Sequence, residues 1–220
     1  MNTIIFLFLN FALITSVRAQ SVKDSLIFRK PLLFEKFIDG SVLIKSGVIE
    51  NAPLNYNTDN QTIVFMKGGQ YLTLMGTEMI DTIYMDNKKF VPVKDNFYEV
   101  LTSGNVSLFL TYYNRTHPVT ATVTHDGNSR KDDRQVSNTI SDVYVSRSFK
   151  GNYEVEFFRV YWLKKGAKLY KFHNKSQFVK PFSSQMKVAI EQYVKTNHVD
   201  FSKGNDLIEL VNFCNNKDFD

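Results

Sequence analysis

Between Ser41 and Tyr113 the chain alternates short apolar runs with small polar clusters. The runs at residues 41–45, 48–56, 62–66, 71–75, 80–85, 90–93, 97–101 and 106–113 are rich in Val, Ile, Leu, Phe, Tyr and Thr, residues that suit a pleated, half-buried surface. Between them stand Thr58-Asp59-Asn60, Lys67-Gly68-Gly69, Asp86-Asn87-Lys88, Lys94-Asp95-Asn96 and Ser103-Gly104-Asn105. Gly, Asn and Asp tolerate the left-handed backbone of tight turns, so each cluster predicts a chain reversal. In the last run Val106, Leu108, Leu110 and Tyr112 fall on one face, and Ser107, Phe109, Thr111 and Tyr113 on the other. That period of two is the mark of a strand, and aromatic residues on both faces predict a central strand covered on both sides. No connection has room for a crossover helix, so the strands pair antiparallel.

Residues 114–142 contain no Leu, Phe, Tyr or Trp. With little to bury, they predict an exposed loop or hairpin excursion from the domain. Strand signals resume at 143–145 and in YEVEFFRVYWL, residues 153–163, with a turn at Lys164-Lys165-Gly166 and a further strand at 167–172. The period then changes. Met186, Ala189, Ile190, Tyr193 and Val194 recur at helical spacing behind Ser183 or Ser184 as cap, and Leu207, Leu210, Val211 and Cys214 form a second stripe behind Asn205. A short helical turn at 175–180 ends before Pro181. The predicted class is α+β: a mainly antiparallel β meander whose apolar face is covered by a C-terminal pair of amphipathic helices.

The opening residues, MNTIIFLFLNFALITSVRA, combine an apolar run with a small-residue Val17-Arg18-Ala19 ending. They predict a signal peptide over 1–19, cleaved to leave a single domain over 20–220, exported to a periplasmic or extracellular location. The apolar run is shorter than the roughly 20 residues a transmembrane helix needs. With one cysteine, Cys214, the chain has no intrachain disulfide, and no cysteine follows the cleavage site to take a lipid anchor. A net charge of +5 with 22% charged residues is mildly basic. It suits attraction to anionic material without marking a nucleic-acid binder.

Candidate chemistry is sparse. His117 and His125, near Asp126, Asp132 and Asp133, are the one grouping of metal-ligand types, but along a strand the histidines lie roughly 26 Å apart. No metal or other cofactor is expected. Glu154 and Glu156 share a strand face, yet an outward acidic face explains them as well as acid/base work does. Nucleophile, phosphate-loop and zinc-helix motifs are absent from the sequence, so no enzyme activity is expected, and Cys214 on an apolar stripe reads as a packing residue. The remaining candidate is an anionic-ligand surface made of Lys164, Lys165, Lys168 and Lys171 interleaved with Trp162 and Tyr170. Lysines there meet anions and rings stack on sugars or bases, although lysines also guard sheet edges.

The phrases SVLIKSGVIENAPLNYNTDNQTIVF, FYEVLTSGNVSLFL and YWLKKGAKLYKFHNKSQFVKPF, ahead of two closing helices, resemble a loose group of uncharacterised exported β-rich proteins of Bacteroidota type. The resemblance implies a bacterial envelope location. It makes the Asn-x-Ser/Thr triplets at Asn60, Asn105, Asn114 and Asn174 irrelevant as glycosylation sites. The expectation is therefore a non-enzymatic envelope protein that binds or scaffolds an envelope polymer, anionic lipid or another envelope protein. Two alternatives are a periplasmic carrier of a small molecule or lipid, and a hydrolase of envelope polymers.

Overall fold

The computed structural model describes residues 31–118, 143–149 and 153–217. Eleven strands run as β1 (Ile38–Ile44), β2 (Ile49–Asn57), β3 (Thr62–Lys67), β4 (Gln70–Thr73), β5 (Ile80–Met85), β6 (Lys88–Val93), β7 (Asn96–Val100), β8 (Val106–Pro118), β9 (Val143–Phe149), β10 (Tyr153–Lys165) and β11 (Lys168–Phe172). Three helices follow: α1 (Lys175–Phe178), α2 (Ser184–Thr196) and α3 (Gly204–Asn215). All pairings are antiparallel, in the order β11-β10-β8-β7-β6-β5-β1-β2-β3-β4. The eleven strands occupy ten positions because β9 and β11 share one edge of β10, β9 along Tyr153–Phe158 and β11 along Tyr161–Lys165.

The α+β class with closing helices is as the pattern predicts, but the path is not a plain meander. After β4 a 3-10 turn at Thr77–Met79 returns the chain to the far side of β1, so β5 pairs with β1 and not with β4. Strand β8 continues to Pro118, further than the apolar run, because it pairs with β10 over its whole length. The segment 119–142 and the predicted signal peptide lie outside the described residues.

The turns obey the predicted chemistry with two exceptions: between β2 and β3 the positive φ of 56° falls on Gln61, just past the Thr58-Asp59-Asn60 cluster, and the other lies between β6 and β7. Gly68 and Gly69 between β3 and β4, Asp86 between β5 and β6, and Gly166 between β10 and β11 all adopt positive φ. In the β6–β7 turn the positive φ of 57° falls on Lys94, not on the tolerant Asp95 or Asn96.

One face of the sheet, called inner, carries the core: Leu54, Ile83, Phe90, Leu108 and Leu163 from the strands and Ile190 and Leu210 of α2 and α3 belong to one buried cluster. The helices approach it along β8 and β11, and within it Tyr56 of β2 packs on Phe90 and Tyr112 of β6 and β8. Fully burying each such side chain contributes about 1.5–3 kcal/mol. Ser183 caps α2 as expected, accepting from the Met186 amide at 3.3 Å. Asn205 does not cap α3: the helix begins at Gly204, its N-cap position is Lys203, and no side chain caps it. Its other end is held by Asn215, whose Oδ1 accepts from the Val106 amide and whose Nδ2 donates to the Val106 carbonyl, both at 2.8 Å. The side-chain amide thus imitates a paired strand at the start of β8.

Two buried polar groups pin the sheet. The Asn55 amide donates to the Phe34 and Lys36 carbonyls and accepts from the Phe34 and Tyr56 amides, holding the chain before β1 against β2. On the inner face the carboxylate of Glu99 pairs with Lys88 at 2.9 Å and accepts a hydrogen bond from the Tyr112 hydroxyl.

Candidate binding surface

The predicted basic run crosses two antiparallel strands, and the pleat divides it. Along β10 and β11, Trp162 pairs with Lys171 and Lys164 with Leu169, which sets Trp162, Lys164 and Lys171 on the outer face. Lys165, Lys168 and Tyr170 take the alternate positions and face the helix side. There Lys165 reaches the Pro181 carbonyl at 3.5 Å, and its ammonium lies 5.2 Å from the centre of the Phe182 ring. The six residues therefore do not form one surface. Only three share the outer face, because side chains one residue apart on a strand point to opposite sides.

On that face the three are joined by residues the sequence pattern did not single out. Trp162 meets Tyr98 edge to face, with centroids 5.6 Å apart, and its indole N–H donates to Thr111 Oγ1 at 2.8 Å. Tyr98 comes from β7, and Thr111 from β8 between them. Thr111 is fully buried beneath the two rings. Lys164 stands over the Phe109 ring at 5.7 Å, leaning its stem on apolar surface while the ammonium stays in water. Beside this cluster an open hollow of about 500 Å3 is lined by Val93, Lys94, Asp95, Asn96, Tyr98, Trp162, Ala167 and Leu169.

Electrostatics favours neutral rings and a cationic rim. Burial raises the pKa of Tyr98, with Tyr113 adding to the effect, so its phenol keeps its proton. His173, near the end of β11, has its pKa lowered by burial and by Lys171. Its imidazole is neutral at pH 7, so the positive charge beside the hollow belongs to Lys94, Lys164 and Lys171, with Asp95 opposing it.

The other candidates fall apart or lie elsewhere. His117 is opposite Glu154 on the β8–β10 ladder, while His125, Asp126, Asp132 and Asp133 lie outside the described residues. Glu154 and Glu156 do share a strand side, with Glu156 opposite Arg115. Cys214 is buried in the core, and burial pushes its thiol pKa up to about 12, the opposite of an activated thiolate. Among the described residues no three His, Cys, Asp or Glu side chains gather as metal ligands, and no helix is long and apolar enough to cross a membrane. Compared with protein-family models, curated proteins and solved structures, the chain matches none.

Proposed function

We propose that this chain is an exported, non-enzymatic envelope protein that binds an anionic polymer or an acidic partner on the outer face of its sheet. The observation that carries the reading is the Trp162–Tyr98 hollow with Lys94, Lys164 and Lys171 around it. Ring faces in such a hollow take up sugar or other flat groups, and cations beside them select acidic ones. Surface binding is favoured over carriage because the Trp162 hollow and the one across β5, β1 and β2 both open on the sheet's outer face, whereas the inner face is filled by one continuous cluster of strand and helix side chains. Export rests on the predicted signal peptide, and the bacterial envelope setting rests on the resemblance.

The chain has a single tryptophan, so its fluorescence reports on this hollow alone. Heparin serves as the anionic probe. Titration at low ionic strength is expected to shift or quench the emission, and about 0.5 M salt reverses it through screening. The pair Lys164→Gln/Lys171→Gln weakens binding, whereas Lys165→Gln/Lys168→Gln, the same charge loss on the other face, leaves most of it. Unchanged emission, or equal losses from the two pairs, defeats the proposal.

A further inference from the structure

A second hollow lies on the outer face across β5, β1 and β2, distinct from the one rimmed by lysines. The register lays its side chains in two rows. Tyr84, Ser41 and Asn51 pair across the three strands; one step along, Asp39 pairs with Pro53, and Asp86 follows the last paired residue of β5 on Asp39's other side. The middle of the array is low because Ser41 is small. The resulting open depression measures about 480 Å3, within the roughly 300–1,000 Å3 of small-ligand sites.

Its polar groups are unspent. The amides of Asn55, Asn114, Asn174 and Asn215 all hold other parts of the chain. By contrast, Asp39, Ser41, Asn51, Tyr84 and Asp86 have no side-chain partner among the described residues. Tyr84 is 43% exposed in the middle of a sheet face, so one side of its ring is open to a ligand.

We propose that this hollow binds an uncharged, hydroxyl-rich ring, the unit of a neutral polysaccharide. The C–H face of such a ring packs on Tyr84, and Pro53 supplies a second apolar wall at the opposite corner. Hydroxyls donate to the Asp39 and Asp86 carboxylates in charge-assisted bonds. The floor between them both donates and accepts, through the Asn51 amide and the Ser41 hydroxyl. A hydroxyl satisfies both kinds of group, whereas an ammonium only donates and an anion meets two carboxylates. The site is independent of the Trp162 hollow and would stand if that reading failed.

Affinity electrophoresis tests it: the full chain is run in native gels cast with dextran, mannan or hydroxyethyl cellulose, with heparin and poly-lysine as charged comparisons. At least one neutral polymer is expected to retard the chain. Tyr84→Ala lowers that affinity by about tenfold, as losing a ring contact does, and Asn51→Ala weakens it too, while Trp162→Ala leaves it unchanged. Asp39→Asn/Asp86→Asn keeps hydrogen-bonding capacity and retains part of the binding. A melting temperature for each variant separates lost binding from lost folding. Free migration in all three neutral polymers, retardation that survives Tyr84→Ala in a folded protein, or binding of poly-lysine alone would overturn the proposal.

Discussion

Replacing Asn215 by Ala removes two hydrogen bonds at once and strands the amide and carbonyl of Val106, a residue only 4% exposed. Each bond contributes about 0.5–1.5 kcal/mol net, so the expected loss is about 2 kcal/mol. For a domain of this size that corresponds to about 4–8 °C in melting temperature. Asn215→Asp separates the two bonds. A carboxylate still accepts from the Val106 amide but faces the Val106 carbonyl, which raises its pKa above the unfolded value of about 3.9. The sign follows from linkage: the variant is least impaired below that value, where the protonated acid donates to the carbonyl. It loses stability as pH rises through the folded pKa. Urea melts of wild type, Asn215→Ala and Asn215→Asp at pH 3.5 and pH 7 measure both effects. An Ala cost under about 0.5 kcal/mol, or an Asp variant whose deficit does not grow with pH, would refute the idea that this amide substitutes for a strand.

Gly40→Ala is expected to cost about 1–3 kcal/mol through overpacking, because the new methyl meets backbone as well as side chains; chemical denaturation giving less than half of that would mean β1 and β5 separate easily. Cys214 is expected to resist thiol reagents in the native state and to react only on unfolding. Since burial holds its folded pKa near 12 against an ordinary 9.0, the unfolded chain ionises first and the thiol lowers stability as pH rises from 9.0 toward 12. Comparing the alkaline slope of wild type with that of Cys214→Ala isolates this contribution, and identical slopes would contradict it.

Local chemistry carried most of the strand and helix pattern into the fold. The run 80–85 became β5 unchanged, and Ser183 capped its helix, because these features depend on neighbours within a few residues. The site did not transfer in the same way. Lys164 and Lys165 are adjacent in sequence, yet the pleat sends them to opposite faces, and a reading based on composition merges what the backbone separates. Tyr98, Thr111 and the hollow beneath Tyr84 were missed because they depend on which strands lie side by side. Strand β5 joins β1 across 36 residues or more, from Ile44 with Ile80 to Gly40 with Met85, and no local signal encodes that pairing. The alternation of Val106 to Tyr113 did announce a central strand. What it could not announce was that Thr111 would lie beneath an indole from β10.

Strand β1 joins two sets of hairpins that have no other ladder in common: β2 to β4 on one flank and β5 to β8 on the other. Each set consists of local reversals and can zip early, whereas union must wait until β5 has been made and brought back to β1, a closure with a larger entropic cost. The narrow seam at Gly40 is therefore where these two sets commit to one another, later than either set zips. A cut in the 3-10 turn between β4 and β5 would leave every ladder intact while making that closure bimolecular, so the two fragments should recombine at a rate set by their concentration.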